Sequence, residues 1–381
     1  MTLSRRKFIR VLGGGAIFAV GAGGAWAASR APTSARAPWR SAGLEGTDIR
    51  RVALSYAVLA PNPHNRQPWL VDFDEPESLT LYCELDRRLP QTDPFDRQIT
   101  IGLGAFLELL SMAAAEGGWG TGITTFPEGE PQPRLDGRPV AHVRFTRGTG
   151  TGKDPLFASA RLRRTNRNAY DDRAVKSETL ERIAGFARQT CMAWTNDKDR
   201  RKALSTLAID ALGVEMGLRR TAKETVDALR VGKAEINRRP DGIALAGLVM
   251  EGAYDLGLFD PVDLLDPYST VSKRERADER EQIESSAAFA WLVTGGNSRA
   301  DQIAAGRDYL RFCLAATAAG LSMQPLSQAL QEYPEMAGHF RDIRRELSIG
   351  GDETLQMFVR LGYGPAVEPA PRWPYQSRIR A

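Results

Sequence analysis

Apolar residues recur at helical spacing over residues 47–59, with Val52, Leu54 and Leu59 among them, and the stretch stops at Pro61 and Pro63. This pattern predicts an amphipathic helix with a proline stop. Residues 69–73 and 79–85 alternate as paired strands do, with a turn around Glu75-Pro76-Glu77-Ser78. A leucine- and alanine-rich run over 101–115 predicts a long apolar helix, followed by strand-like segments at 123–126 and 140–146. The second half repeats the order loosely. Helices are expected at 177–188, with Glu178 and Glu181 in the first turn, at 200–218 and at 300–319. Strands are expected at 191–195, 287–294 and 355–361.

Two local echoes support that repetition. Residues 110–117 (Leu-Ser-Met-Ala-Ala-Ala-Glu-Gly) resemble 312–320, and Val143-Arg144-Phe145 resembles Val359-Arg360-Leu361. Coincidence is one explanation, since helix-then-strand endings are common; a duplicated unit whose halves pack as a pseudo-dimer is the other. Residues 221–281 are charge-rich and weakly periodic around an apolar island at 243–258, and read as an insertion or lid. Residues 28–44 read as a linker from Ser29, Pro32, Ser34, Pro38 and Gly43.

The first 27 residues change the picture. Ser4-Arg5-Arg6-Lys7-Phe8-Ile9 precedes an uncharged, glycine-rich run that ends in Ala25-Trp26-Ala27. A basic head, short apolar run and Ala-x-Ala ending mark a targeting segment, and the paired arginines resemble a twin-arginine export signal. An ordinary secretory signal or an uncleaved anchor are the alternatives, but the run is mildly apolar and short of the ~20 strongly apolar residues that span a bilayer. The segment also carries the basic bias. Without Arg5, Arg6, Lys7 and Arg10 the chain has 47 Lys and Arg against 47 Asp and Glu. The remainder gives no support for a nucleic-acid partner. Cys83, Cys191 and Cys313 are scattered in apolar contexts and suggest buried free thiols rather than a disulfide framework. His64, His142 and His339 are too far apart in sequence to suggest a metal site.

Three segments carry more than secondary structure requires. Residues 60–69, Ala-Pro-Asn-Pro-His-Asn-Arg-Gln-Pro-Trp, present His64, Asn65 and Gln67 on a proline-fixed loop. Asn and Gln amides offer donors and acceptors together, which suits the edge of a planar heterocycle; a polar turn before an edge strand is the plainer reading. Residues 161–167 hold four arginines, with Arg163, Arg164 and Arg167 around Thr165, as a bidentate phosphate cradle would. A solvated basic helix end is the alternative. In the third, Leu321-Ser-Met-Gln324-Pro325-Leu326 accompanies Arg360-Leu-Gly362-Tyr363-Gly364-Pro365, where glycines permit close backbone approach.

Together these segments resemble the nitroreductase superfamily of FMN-binding oxidoreductases. The first is similar to that family's Ala-Pro-Ser-x-x-Asn-x-Gln-Pro-Trp pattern, matched closely at residues 64–69. The second resembles its Arg-Arg-Ser-x-Arg-x-Phe opening, with Thr165 and Tyr170 as substitutes, and the third its closing segment near the flavin phosphate. The likeness covers most of residues 44–374. The layout resembles the longer chains of the Acg-like branch, in which two units are fused. The motif order departs from the ordinary family: here the loop precedes the arginines by about a hundred residues. A fused pair accommodates this by taking the loop from one half and the arginines from the other.

The resemblance implies an α+β, nitroreductase-like fold with two half-units forming a pseudo-dimer, residues 45–150 and 151–374. It implies non-covalent FMN, with Arg163, Arg164, Arg167 and Arg360 on the phosphate, Thr165 assisting, and His64, Asn65 and Gln67 toward the ring or ribityl chain. Gln324 and Pro325 complete the cofactor set. No catalytic side chain and no metal are implied, since the flavin carries the chemistry. The expected partners are a small-molecule electron donor and acceptor and the twin-arginine export machinery, with no nucleic acid. The chain is expected to be monomeric and exported, periplasmic or anchored by an uncleaved signal. An FMN-binding or flavin-storing protein with little turnover is the alternative. Nothing resembles a dinucleotide fingerprint, Gly13-Gly14-Gly15 lying in the leading segment, and slow or undetectable NAD(P)H turnover is expected because the insertion over 221–281 would close the face where nicotinamide stacks.

Overall fold

The computed structural model describes residues 30–44, 46–73, 75–148 and 152–380; the targeting segment read over 1–27 lies outside them. Residues 30–44 are not a free linker. Pro38–Ser41 (α1) form one helical turn, with Trp39 and Ala42 buried. Trp39 overrides the surrounding polar composition, and its Nε1 donates to the Ala370 carbonyl at 2.8 Å.

Ile49–Ala57 (α2) begins where the Asp48 carboxylate accepts from Arg50 N, an N-cap that satisfies an otherwise orphaned donor. Trp69–Asp72 (β1), Ser78–Cys83 (β2), Arg97–Glu116 (α3), Trp119–Thr125 (β3) and Ala141–Arg147 (β4) follow. The four strands form an antiparallel sheet in the order β1-β2-β4-β3. By length and apolarity α3 would pass for a membrane span, yet most of it is buried inside the protein. Its Phe106 stacks on Trp69 with centroids 5.1 Å apart.

The second half repeats this plan. Ser177–Ala184 (α4), Cys191–Thr195 (β5) and Lys198–Gly217 (α5) lead into the excursion over 218–287. That excursion contains Arg219–Asp227 (α6), Leu229–Val231 (β6), Gly232–Arg238 (α7), Ile243–Leu245 (β7), Leu248–Asp255 (α8) and Thr270–Glu284 (α9). Ala288–Thr294 (β8), Arg299–Ala318 (α10), Ser322–Pro325 (β9), Ala337–Glu346 (α11) and Thr354–Gly362 (β10) complete the chain's main elements. The second antiparallel sheet runs β5-β8-β10-β9, the same order once the excursion is set aside. β8 and β10 are buried throughout, with Phe289 stacked on Phe358 at 5.1 Å.

The two long helices, α3 and α10, pack together at the centre. Arg97 and Arg299 open them, Gly104 and Gly306 each lie seven residues further on, and Gly118 and Gly320 each follow the helix end at φ +78° and +71°. The sequence echo at 110–117 and 312–320 is the shared last two turns of these helices. Arg97 reaches into the second half, donating to the Leu355 carbonyl at 3.1 Å and to Leu330 O. Arg299 reaches into the first, donating to Pro131 O at 3.1 Å and Pro133 O at 2.9 Å. The chain is an α+β pseudo-dimer whose halves exchange buried guanidinium contacts. Cys83 and Cys313 are buried free thiols, but Cys191 is exposed, because it lies on edge strand β5.

Candidate functional site

A cavity of about 460 Å³ opens at the seam between the halves, within the size range of small-molecule and cofactor sites. Each half contributes to it. From the first come the loop Pro61–Asn65 and Gln98, Ile101 and Gly102 at the start of α3; from the second come Tyr309 of α10, Gln324 and Pro325 of β9, and Leu326 just after it. Arg163, Arg164, Thr165 and Arg167 form one wall with Arg36 and Trp39. Thr225, residues 242–244, Glu275 and Glu279 of the excursion form another. The excursion therefore supplies part of the cavity lining.

Positive φ angles shape the loop: His64 (47°), Asn65 (51°) and Gln67 (52°) all sit in the left-handed region, a strained run for residues with side chains. The loop is locked from outside. Asn65 Nδ2 donates to Gly242 O at 3.1 Å and Pro371 O at 3.0 Å, while its Oδ1 accepts from Arg372. Gln67 is fully buried behind the wall, where Nε2 donates to Pro240 O at 2.7 Å and Oε1 accepts from Trp373 N at 2.9 Å. It does not line the cavity. Asn65 lines the cavity with its amide already committed to protein partners.

The arginines divide in the same way. Arg360 is buried behind the wall, not on it. It donates to Gln324 Oε1 at 2.7 Å and Asn168 O at 2.8 Å, also to Gln282 O, and lies 4.0 Å over the Tyr170 ring. Its donors are spent on holding β10 against β9 and the arginine segment, so it positions Gln324 rather than facing a ligand. The equivalent residue of the first half is Arg144, which pairs with Gly122 on β3 as Arg360 pairs with Gln324 on β9. Arg144 is exposed, so the two halves use this position differently.

Among the described residues the Arg163 guanidinium makes one hydrogen bond, to Leu59 O at 3.3 Å, and the Arg167 guanidinium makes none. Arg164 donates to Arg161 O and Arg163 O, both at 2.8 Å, and lies over the Trp39 ring at 4.7 Å. Burial lowers the pKa of all three, and for Arg167 the charges of Glu279 and Glu275 oppose that shift. Each guanidinium carries five donors in a fixed fork, so this wall holds unspent capacity for an anion.

Facing it are carboxyls that sequence reading missed. Burial, then Glu275, pushes Glu279 up to about 8, and burial also raises Glu275. Both line the cavity, Glu279 half-buried and Glu275 exposed. A signal existed: like charges four residues apart on one helix cost stability unless something compensates them. Trp39, Glu215, Tyr309 and Arg372 also went unread, because single residues in unremarkable contexts leave no pattern. His64 is held neutral, its pKa lowered to about 4 by burial and then by Arg167 and Arg66. Among the described residues no group of His, Cys, Asp and Glu could hold a metal.

No protein-family model matches the chain. It is 28% identical over 335 residues to a Mycobacterium tuberculosis protein provisionally named an NAD(P)H nitroreductase, covering 85% of this chain and 88% of that one. It is 25% identical over 337 residues to the Acg protein of the same organism, named in the same way, covering 85% and 92%. Among solved structures, a nitroreductase-like family protein from Bacillus cereus overlaps 61% of this chain and 97% of its own, at 13% identity and a TM-score of 0.34. The FMN-dependent nitroreductase NfnB of Mycobacterium smegmatis, solved with NADPH, overlaps 55% and 89%, at 18% identity and a TM-score of 0.33. Along most of its length the chain is similar to nitroreductase-named relatives of the Acg type.

Proposed function

We propose that the chain is an exported, FMN-dependent oxidoreductase of nitroreductase type, acting between a small-molecule donor and a small acceptor such as a nitroaromatic or quinone. The observation that carries this is a seam cavity lined by a buried guanidinium, Arg163, and a solvent-accessible one, Arg167, whose donors are largely unspent. A buried guanidinium such as Arg163 is costly without an anion, and a phosphate monoester meets the fork geometry of both arginines. Arg163, Arg164, Arg167 and Thr165 would hold the FMN phosphate. Ile101, Leu212, Met216, Pro325 and Met357 offer apolar wall for a flat ring. FMN would supply reversible hydride and electron transfer. The chain's own part is to orient it, to exclude water with the excursion, and to keep His64 uncharged beside the cationic wall.

Export rests on the paired arginines of residues 5 and 6 and the run that follows them. Flavin storage is a second reading, favoured by Thr225, Glu275 and Glu279 closing one side of the cavity. Anaerobic reduction of the flavin-loaded full chain by dithionite, followed by a quinone or nitroaromatic, separates the two. Reoxidation within the mixing time of a stopped-flow experiment supports the oxidoreductase. A reduced flavin that persists for minutes beside excess acceptor contradicts it and supports storage.

A further inference from the structure

His64 is one end of a hydrogen-bonded line that runs along the cavity wall, since Thr225 and Glu215 line the cavity too. Its Nε2 lies 3.2 Å from Thr225 Oγ1 on α6, and that hydroxyl lies 3.1 Å from Glu215 Oε1 on α5. Glu215 is buried, and its second oxygen accepts from Gln331 Nε2 at 2.7 Å. Three separate elements thus converge on one hydroxyl.

The proton count along this line allows two arrangements. A hydroxyl has one hydrogen and must accept from one neighbour if it donates to the other. When Glu215 is a carboxylate, Thr225 donates to it and accepts from His64, so His64 carries its proton on Nε2 and Nδ1 is bare. When Glu215 is a carboxylic acid it donates to Thr225, which then donates to His64 Nε2, and the imidazole proton sits on Nδ1. No partner for Nδ1 occurs among the described residues, and Nδ1 is not a buried orphan. It is therefore the atom left to meet a ligand.

We infer that Glu215, Thr225 and His64 form a proton relay that opens into the cavity at His64 Nδ1. Delivery moves one proton from Nδ1 to the ligand, one from Thr225 to Nε2, and one from Glu215 to Thr225. The net change is a carboxylic acid becoming a carboxylate, with histidine uncharged before and after. Reversal takes up one proton. The depressed basicity of His64 agrees with this, because an imidazole that resists protonation near neutral pH cannot store the proton itself. Burial raises the Glu215 pKa against the donors Gln331, Thr225 and Gln328, with Glu224 adding to the rise and Glu279 close by. Arg167 and Arg66 face His64. The ligand class is one that gains a proton during reaction, such as a quinone being reduced. That use rests on the proposed redox reading; the relay itself does not.

Two-bond proton–nitrogen NMR of the full chain, without flavin and with labelled histidine, reads the tautomer directly. Above about pH 5 His64 is expected to stay neutral, switching from the Nδ1–H to the Nε2–H form as rising pH takes the proton from Glu215. Glu215→Gln and Thr225→Val should each abolish the pH-dependent switch, and Thr225→Ser should keep it. A wild-type tautomer that does not change, a charged imidazolium above pH 6, or an unaltered switch in Thr225→Val would overturn the relay. A switch observed in a protein that never binds flavin would uphold the relay and refute the redox reading.

Discussion

Gly104 and Gly306 occupy reciprocal positions at the crossing of the two central helices. A methyl on Gly104 would press on Ile303 O and lie 3.0 Å from Gly306 Cα; one on Gly306 would press on Ile101 O and lie 2.9 Å from Ala105 N. Such isologous contact is what a two-fold interface between subunits looks like. Here it occurs inside one chain.

Gly104→Ala and Gly306→Ala should each destabilise the fold by about 1–3 kcal/mol, since backbone rather than a yielding side chain must move. Their effects should not add, because both strain the same crossing. Gly213→Ala is the contrast: it lies in α5 with nothing near its missing methyl, so it should be neutral or stabilise by up to ~1 kcal/mol. Denaturant unfolding of the three variants checks this, and equal effects at Gly104 and Gly213 would contradict it.

The arginines should separate by where their donors point. Arg167→Ala should weaken FMN binding by roughly 1.5–3 kcal/mol and leave folding intact, the scale of a charged hydrogen bond lost from a phosphate. Arg360→Ala should instead lower stability, by roughly 1–3 kcal/mol for each buried acceptor stranded, among them Asn168 O and Gln282 O. Flavin titration paired with thermal unfolding distinguishes them. Loss of affinity in Arg360→Ala without loss of stability would restore that residue to the phosphate.

Long periodic segments were legible in the sequence: residues 101–115 predicted a helix that spans Arg97–Glu116. Its start was missed because Arg97 reads as polar, yet it is buried on carbonyls of the other half. Residues 123–126 underestimated Trp119–Thr125, where Gly120 and Gly122 break the alternation. The loop, arginine cluster and closing segment were visible as motifs. What their side chains do was not, since Gln67 and Arg360 are satisfied by partners more than 30 residues away in sequence. The acidic wall escaped because it belongs to a charge-rich excursion that local periodicity reads as solvent-facing.

Stability should fall as the medium turns alkaline. Burial raises Glu279 from 4.5 to about 8, so the folded state holds its proton more tightly than the unfolded chain does. The stabilisation is complete below about 4.5 and is lost as pH climbs through about 8. Asp93, pushed by burial to about 7, acts in the same direction. The thermal midpoint should decline between pH 6 and 9, and Glu279→Gln should flatten part of that decline. A variant with an unchanged slope would show that Glu279 titrates elsewhere.

Replacing Arg5 and Arg6 by lysine keeps the charge and removes the guanidinium pair. Folded protein should then accumulate in the cytoplasm, as fractionation would show. Export of the lysine variant at the normal level would refute a twin-arginine route.

The composite site is tested most directly by the absorbance spectrum of the purified full chain, with released flavin quantified against protein. One seam cavity built from a single loop and a single arginine cluster predicts an oxidised-flavin spectrum and one FMN per chain. A colourless protein that takes up no FMN on titration, or a chain that binds two, would contradict it.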